Sequence, residues 1–413
     1  MPKTTKRPAL RFAGFSDEWE ERKLGDIGST YTGLSGKTSS DFGHGEAKYI
    51  TYMNVFSNPI TSPKMVEAVE IDDKQHTVQK GDVFFTTSSE TPEEVGMSSV
   101  LQENSAKTYL NSFCFGYRPA VKFDNNFLAY TLRSPKIRKK IVFLAQGISR
   151  YNISKNKVME IKIPIPYLNE QWKIGEHFAI LNRLIALHER KYSKLMNVKK
   201  FMLEKMFPKD GAKVPALRFA GFSDEWEERK INDVANFSKG NGYSKGDLKG
   251  SGTPIILYGR LYTKYQFEIE GVDTFADIRS GAVFSKGNEV IVPASGETAE
   301  DIARAAAILK SGILLGGDLN ILHPFTFMNP SFVALVISNG PPQKELARKA
   351  QGKSIVHIHN SDIQEVTVRY PDRAEQDKIS RTFSKLDHLL SLHRQELERL
   401  QNVKKSCLEK MFA

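Results

Sequence analysis

The chain repeats itself at a distance of roughly 200 residues, and this repeat limits the folds that it can adopt. Residues 8–23 read PALRFAGFSDEWEERK, and residues 215–230 contain the same sixteen letters. Residues 170–207 align without gaps on residues 375–412, and half of the aligned positions are identical. Because a period of this length is far too long for a solenoid, we expect two copies of one globular unit.

The interiors of the two copies, residues 24–145 and 231–350, show no comparable match. Duplication followed by drift alone would blur the ends of each copy as much as its middle. The pattern therefore indicates a fixed scaffold that carries two exchangeable modules. Shorter matches lie between each interior and its last segment: QGISRYNIS (146–154) with QGKSIVHIH (351–359), and IKIPIP (161–166) with VTVRYP (366–371).

The last segment of each copy predicts a long helix, because apolar residues recur there at alternating steps of four and three. At ~1.5 Å per residue such a helix would be roughly 57 Å long. Its apolar stripe needs a partner, and antiparallel pairing of the two helices within the chain would supply one. Dimerisation of two chains through the same seam is the alternative. The predicted seam residues are Ile174, Phe178, Leu181, Ile185, Leu195, Ile379, Phe383, Leu386, Leu390, Leu397 and Leu400.

The sequence divides into four segments and predicts an α+β fold. Residues 1–169 and 209–374 form two domains, which begin with the lead-ins 8–23 and 215–230, and residues 170–208 and 375–413 form the coiled-coil helices. Each domain has a strand-rich, irregular middle and a helical stretch towards its end. The strand-like stretches are 47–56, 82–87, 112–118, 254–259, 282–285 and 290–295, and the helical stretches are 127–145 and 331–339.

Glycine-rich loops and basic clusters in the two interiors are the candidate contacts with nucleic acid. Glycine lets the backbone approach phosphates closely, and Lys, Arg, Ser and Asn donate hydrogen bonds to phosphates and base edges. The alternative is that such loops are ordinary solvated surface. The candidates are Ser35, Lys37, Thr38, Arg133, Lys136, Arg138, Lys139, Lys140, Arg150 and Tyr151 in the first copy and Lys239, Asn241, Tyr243, Lys245, Tyr258, Arg260, Lys353 and Ser354 in the second.

Composition is compatible with a nucleic-acid partner and places the chain in a reducing compartment. The net charge of +11 favours a polyanionic partner, although most of the excess lies outside the segments 24–169 and 231–374. Cys114 and Cys407 are the only cysteines, and they lack the spacing of a zinc site. We therefore expect a cytoplasmic protein. No apolar run is long enough for a membrane span or a signal peptide, so we expect no membrane contact.

Catalytic motifs are not found in the sequence. GLSGKT (33–38) ends like a phosphate-binding loop but has two residues between its glycines instead of four. His357 and His359 lack a third ligand nearby, so a metal site is not expected. SSETPEE (88–94) and ASGETAED (294–301) are better explained as helix-capping boxes than as nucleophiles. We therefore expect no catalytic residue, cofactor or metal in this chain.

The combination of these features resembles the specificity subunit of type I restriction–modification systems. The motifs that carry the resemblance are the PxLRFxGFxxEWEE lead-in, the QGxS…IPIP…EQxKI lead-out and the two matched helices, and together they span the whole chain.

The resemblance implies that each variable domain reads one half of a bipartite, asymmetric site in double-stranded DNA. It also implies that the paired helices set the unspecified spacer and that two methyltransferase subunits dock on them. Two nuclease–translocase subunits are able to join such complexes. S-adenosylmethionine, ATP and Mg²⁺ then belong to these partners, and the partner flips the target adenine out of the duplex. Two alternatives remain open: a bipartite DNA-binding regulator without a methyltransferase, and a coiled-coil scaffold that binds only proteins.

Overall fold

A computed structural model describes residues 7–104, 106–209, 211–352 and 355–412 of the chain. The chain forms two compact units. Unit 1 comprises Met1–Glu189 together with Gln395–Ala413, and unit 2 comprises Arg190–Arg394. Over the described residues, no helix has both the length and the apolar character that crossing a bilayer requires.

Unit 1 contains short strands, short helices and the first half of a long helix. Its strands are β1 (Glu20–Lys23), β2 (Gly28–Thr32), β3 (Phe42–Ile50), β4 (Val66–Val69), β5 (Val83–Thr86), β6 (Ser88–Ser89), β7 (Ser98–Val100), β8 (Thr108–Leu110), β9 (Cys114–Pro119), β10 (Tyr151–Asn152) and β11 (Lys162–Ile165). Its helices are α1 (Tyr52–Ser57), α2 (Asn125–Arg133), α3 (Pro135–Phe143), α4 (Lys155–Met159) and the start of α5 (Leu168–Lys205).

Unit 2 contains the end of α5 and the elements that follow it in the chain. Its strands are β12 (Glu227–Lys230), β13 (Ala235–Lys239), β14 (Thr253–Ile256), β15 (Glu268–Ile269), β16 (Phe275–Ala276), β17 (Phe284–Lys286), β18 (Glu289–Pro293), β19 (Ser295–Gly296), β20 (Ala306–Ile308), β21 (Ser311–Leu315), β22 (Leu319–Pro324), β23 (Val356–His357) and β24 (Thr367–Tyr370). Its helices are α6 (Arg260–Thr263), α7 (Ala299–Ile302), α8 (Pro330–Ile337), α9 (Gly340–Lys349), α10 (Asn360–Gln364) and the start of α11 (Arg373–Lys410), whose end belongs to unit 1.

The two units have the same sheet topology, although their interiors share no recognisable sequence. An antiparallel sheet in the order β2-β9-β5-β7 in unit 1 corresponds to β13-β22-β18-β20 in unit 2. In a second sheet, β3 pairs antiparallel with β4 and parallel with β8, as β14 does with β16 and β21. Unit 2 extends these sheets with β15 and β17. The variable interiors are therefore two versions of one fold.

Short antiparallel strand pairs join the repeated segments of each unit to one another and to its interior. The lead-in strand β1 pairs with β11 in unit 1, and β12 pairs with β24 in the same way in unit 2. The β6–β10 pair of unit 1 likewise corresponds to the β19–β23 pair of unit 2. Repeated residues thus form the base of each domain, and the variable strands are built on that base.

The long helices α5 and α11 run antiparallel where they meet within each unit. In unit 1, Ile174 and Phe178 near the start of α5 share a buried cluster with Leu400 and Cys407 near the end of α11. In unit 2 the order is reversed, since the end of α5 packs on the start of α11. The predicted α+β fold with two paired helices is therefore confirmed. The predicted seam residues are buried except for Leu195 and Leu397, which are partly buried.

Two local expectations were wrong. The stretch 47–56 is a strand only as far as Ile50, because Thr51 accepts a hydrogen bond from the backbone N–H of Asn54 (3.2 Å) and thereby caps α1. The helical stretch 127–145 is two helices, α2 and α3. Pro135 disfavours helical geometry in the residue before it, and Ser134 is extended with ψ 147°.

Candidate nucleic-acid interface

A bidentate ion pair fixes each lead-in to the start of a long helix. Arg11 of the first sixteen-residue repeat donates to both carboxylate oxygens of Glu170 at 2.6 and 2.7 Å. Arg218 donates to Glu375 in the same way at 2.8 and 2.7 Å. Both glutamates are almost fully buried, so removing either partner would leave an uncompensated charge at a cost of about 3–5 kcal/mol. This explains why the repeat retains both the LRF and the EQ motifs.

The glutamine that follows each of these glutamates holds a helix of the variable domain. Gln171 accepts the backbone N–H of Asp124 (3.1 Å), and Asp124 is the N-cap of α2. Gln376 accepts the backbone N–H of Asn329 (2.8 Å), and Asn329 is the N-cap of α8. The repeated motifs therefore position the first residue of a helix in each variable domain.

The Met-Phe pair at the end of each long helix completes an aromatic cluster. In unit 1, Phe412 stacks on Phe178 with ring centroids 5.7 Å apart and lies against Phe127 at 5.9 Å. In unit 2, Phe207 occupies the corresponding position. The rings around Phe207 are those of Trp226, Phe332 and Phe383.

The first candidate loop of unit 1 exposes Ser35 and Thr38 but is internally bonded, and the side chain of Lys37 is only 12% exposed. The ammonium of Lys37 lies 3.0 Å from Asp72, and this hydrogen bond raises the pKa of the lysine. Thr38 and Asp41 form a capping box, in which the backbone N–H of Thr38 donates to the Asp41 carboxylate at 2.6 Å. Ser35 is exposed, and its backbone exchanges two hydrogen bonds with the side chain of Gln75. The loop is therefore held in one conformation by its own hydrogen bonds, and Lys37 would have to leave Asp72 to contact a phosphate.

Two arginines of the predicted basic cluster point into unit 1 and form part of its framework. Arg133 donates to the carbonyl oxygens of Ser98 (2.6 Å), Val55 (2.8 Å) and Phe56 (2.9 Å). Arg138 donates to three carbonyl oxygens on the segment 93–96 at 2.7 to 2.8 Å. Burial lowers the pKa of each guanidinium to about 10. The expectation that these two arginines lie on an exposed basic surface was therefore wrong.

The three lysines of the cluster lie nearer the solvent. Lys136 and Lys139 on α3 are exposed, and Lys140 is half-buried with its ammonium donating to the carbonyl oxygen of Lys162 at 2.8 Å. Lys136 and Lys139 thus remain available for a phosphate contact, and this part of the prediction stays untested.

The corresponding loop of unit 2 presents three of its four candidates. Lys239, Asn241 and Lys245 are exposed. Tyr243 is only 7 % exposed; its hydroxyl donates to the carbonyl of Asp277 (3.0 Å), and the guanidinium of Arg279 lies 5.3 Å from its ring centroid. Tyr243 therefore supports the loop, and the expectation that it offers a surface contact was wrong. Arg279, which sequence reasoning missed, is the exposed group at this position.

A cleft of about 680 Å³ in unit 2 brings together candidates from distant parts of the sequence. Tyr243 and Lys245 of the loop lie on its wall with Tyr258 and Arg260 at the start of α6. Arg260 is mostly buried and donates to Asp273 at 2.7 Å, so its guanidinium is held in one orientation. The cleft is also lined by Lys264, Asp273 and Asp318, which sequence reasoning did not single out.

The remaining candidates lie in the two stretches that the copies share in sequence, 146–154 and 351–359. Arg150 is exposed and Tyr151 is half-buried at the base of a hairpin in unit 1. Lys353 and Ser354 lie outside the described residues. Ile148 at the first tip is almost fully exposed, and sequence reasoning missed it because a single apolar letter in a polar loop gives no periodic signal.

The exposed loops can donate hydrogen bonds to a polyanion. Two kinds of catalytic group were also sought among the described residues, a metal cluster and an activated thiol. In the part of the chain that the structure describes, no group of three or more His, Cys, Asp or Glu side chains could hold a metal ion. The half-buried His177 lies 3.6 Å from the Sγ of Cys407, and burial raises the pKa of that thiol. A raised pKa disfavours the thiolate that a nucleophile needs.

Comparison with known proteins gives two matches along this chain to one family, described as the type I restriction modification DNA specificity domain, at residues 16–197 and 223–402. The chain is 21% identical over 418 residues to the putative type I restriction enzyme MjaX specificity subunit of Methanocaldococcus jannaschii, covering 95% of this chain and 92% of that protein. It is 19% identical to the MjaVIII specificity subunit of the same organism, with 82% and 80% covered.

Among solved structures, the chain resembles the S subunit of a type I restriction-modification system from M. genitalium. The TM-score is 0.65 at 16% identity, and the alignment covers 98% of this chain and 99% of the other. At this level of identity, the likeness concerns the fold.

Proposed function

We propose that this chain, which belongs to the type I restriction–modification DNA specificity family, reads one half of a bipartite DNA site with each of its variable domains. The observation that carries the proposal is a contrast between two parts of each copy. The repeated segments, which we call the frame, are residues 8–23, 146–154, 161–166 and 170–207 with their counterparts in the second copy, and they contrast with the exposed loops of the interiors. Corresponding ion pairs, Arg11–Glu170 and Arg218–Glu375, hold the two domains, whereas the exposed loops differ in their donors. The same frame would thus support recognition of two different DNA sequences, one by each domain.

The energetics favour a two-domain reader. A good bidentate contact to a base edge contributes ~1–3 kcal/mol of discrimination, so a single small domain would select its site only weakly. Joining two such domains in one chain makes the second contact intramolecular, which raises the combined affinity through effective concentration. The half-site sequences depend on the variable loops, and the frame is compatible with many of them.

The chemistry on DNA would belong to partner subunits. We assign methylation of adenine to two methyltransferase subunits that bind S-adenosylmethionine, and cleavage to two nuclease–translocase subunits that use ATP and Mg²⁺. The target adenine would leave the stack in the methyltransferase, since chemistry on a base within a duplex requires base flipping. The role of this chain is then to recognise the site and to position these partners.

A domain exchange tests whether the reading is modular. Residues 24–145 are replaced with the matching segment of a relative, and the methylome of a host that carries the chimaera and its methyltransferase is sequenced. We expect one half-site to change while the other half and the spacer are retained. Exchange of residues 231–350 is the matched control and should change the opposite half. A chimaera that alters both half-sites would contradict modular reading.

An insertion tests whether the long helices set the spacer. Seven residues inserted in each helix, after Ser193 and after His393, keep the 3.5-residue seam in phase. They lengthen each helix by roughly 10 Å, which corresponds to about three base-pair steps. Methylome sequencing should show a longer spacer between unchanged half-sites. An unchanged spacer would refute this role of the helices.

Purification distinguishes the proposed function from its alternatives. Co-expression with the methyltransferase should give a stable complex of about two methyltransferase subunits per chain, and that complex should bind its site with strong salt dependence. A chain that binds selectively without retaining a methyltransferase would indicate a regulator. A complex with no DNA selectivity would indicate a scaffold for proteins only.

A further inference from the structure

Each unit contains a short segment whose ends are joined in the same way, which we call the tip hairpin: residues 146–152 in unit 1 and, in unit 2, the described residues 351–352 and 355–357. In unit 1, two backbone hydrogen bonds join Gln146 and Asn152 at 3.0 and 2.8 Å. In unit 2, Gln351 and His357 are joined in the same way at 3.1 and 2.8 Å. The tip hairpins are anchored through β10, which pairs with β6, and β23, which pairs with β19.

A glycine fixes the shape of each tip hairpin. Gly147 has φ +147°, and a Cβ there would lie 2.0 Å from the carbonyl oxygen of Arg150. Gly352 has φ +134°, and a Cβ there would lie 1.9 Å from the carbonyl oxygen of Ile355. Any larger residue would open the turn. Both copies therefore require glycine at this position.

In sequence, the stretches that follow the two glycines share their chemistry but not their order. Residues 148–150 read Ile148-Ser149-Arg150 and residues 353–355 read Lys353-Ser354-Ile355, so each stretch contains one isoleucine, one serine and one basic residue. Neither tip hairpin contains an aspartate or a glutamate. Lys353 and Ser354 lie outside the described residues, and only their identity enters here.

The isoleucine of each tip hairpin is exposed. Ile148 is 96% exposed, and Ile355 is 56% exposed. A single exposed apolar residue is common on protein surfaces and by itself needs no explanation. Here it recurs in both copies between a glycine of the same conformation and the second residue of the same backbone hydrogen-bonded pair. The side chain of Arg150 makes no hydrogen bond or ion pair with any residue in the described ranges, so its charge is available to an outside partner.

We propose that the tip hairpin of unit 1 inserts into duplex DNA, with Ile148 against the base pairs and Arg150 on an adjacent phosphate, and that Ile355 makes the corresponding apolar contact in unit 2. The inference rests on the proposed function and adds a contact that both half-sites share. Apolar side chains that wedge against base steps, flanked by cations, are a general means of distorting a duplex. The absence of acidic residues from both tips favours DNA over a protein partner as the occupant. Because the hairpin belongs to the repeated frame, it would act on the duplex whatever base sequence the variable loops read.

The test uses the full chain in complex with its methyltransferase and a duplex that contains the methylated site. We expect Ile148→Ala to weaken binding roughly 10- to 100-fold, the effect of losing a buried isoleucine side chain, without altering the dependence on salt. Ile148→Leu, which keeps the apolar volume, should bind like the unsubstituted chain. Arg150→Ala should reduce the slope of log affinity against log salt by about 0.9, as expected for one lost phosphate contact.

Fluorescence of 2-aminopurine placed along each half-site locates the contact. Unstacking should be reduced by Ile148→Ala in one half-site only and by Ile355→Ala in the other. Since Ile148 is almost fully exposed, its replacement does not threaten folding. Binding and fluorescence unchanged in Ile148→Ala would overturn the proposal, as would a variant that binds DNA normally but releases the methyltransferase. If instead the unsubstituted complex shows no site selectivity, the proposed function fails first, and the two failures are thereby distinguished.

Discussion

Replacement of Phe412 by alanine tests whether the end of α11 is part of the core of unit 1. Phe412 is 6% exposed and stacks on Phe178 with an interplanar angle of 24°. Removing a buried phenylalanine typically costs about 3–5 kcal/mol, because a cavity remains where the ring was. We therefore expect unit 1 to lose about 3–5 kcal/mol of its free energy of unfolding, a large part of the stability of a domain.

Hydrogen exchange followed by mass spectrometry resolves the effect by unit. Amides of α2 that exchange through unfolding of unit 1 should exchange about 10²- to 10⁴-fold faster in Phe412→Ala. Amides of α8 in unit 2 should be unaffected. Phe207→Ala is the matched control, since Phe207 makes the corresponding contacts in unit 2, and it should show the opposite pattern. The reasoning would be refuted if Phe412→Ala left α2 protected or exposed α8 to the same extent.

Two further substitutions address the contact between α5 and the N-cap of α2. A Cβ at Gly175 would lie 2.0 Å from the Oδ1 of Asp124, so Gly175→Ala should displace this cap and cost unit 1 about 1–2 kcal/mol in urea unfolding. Burial raises the pKa of Asp124 above its usual value, so the folded chain binds this proton more tightly than the unfolded chain does. Asp124→Asn, which reproduces the cap that Asn329 provides in unit 2, should therefore stabilise unit 1 at neutral pH, and this gain should disappear as the pH falls through the raised pKa towards 3.8. Equal unfolding midpoints for Asp124→Asn and the unsubstituted chain at pH 7 would contradict the assigned cause.

The repeat allowed the frame to be predicted because a helical seam leaves a periodic signal. The alternation of apolar residues through Ile174 and Phe178 follows from helix geometry, and the structure buries that stripe. The ion pair between Arg11 and Glu170 could not be predicted, since 159 residues separate the two partners. Identity between the copies showed that these residues mattered, but it did not show what they contact.

The shared topology of the two interiors was not visible in the sequence. A core accepts many combinations of apolar residues of suitable volume, so two domains can diverge in sequence while they keep the same strand order. The sequence also does not show which way the side chains of a basic cluster point. A new helix begins after Ser134, and its orientation places Arg138 against backbone carbonyls instead of solvent.

The division of the chain into its two units has a consequence for the order in which they can mature. Unit 2 is a single stretch, Arg190–Arg394, and can fold as soon as that stretch leaves the ribosome. Unit 1 begins before unit 2 in the chain but needs Gln395–Ala413, which is translated after unit 2. At ~5–20 residues per second, the apolar stripe of α5 in unit 1 waits roughly 10–45 s for its partner. A premature stop after Arg394 would therefore leave unit 2 intact and deprive unit 1 of part of its core.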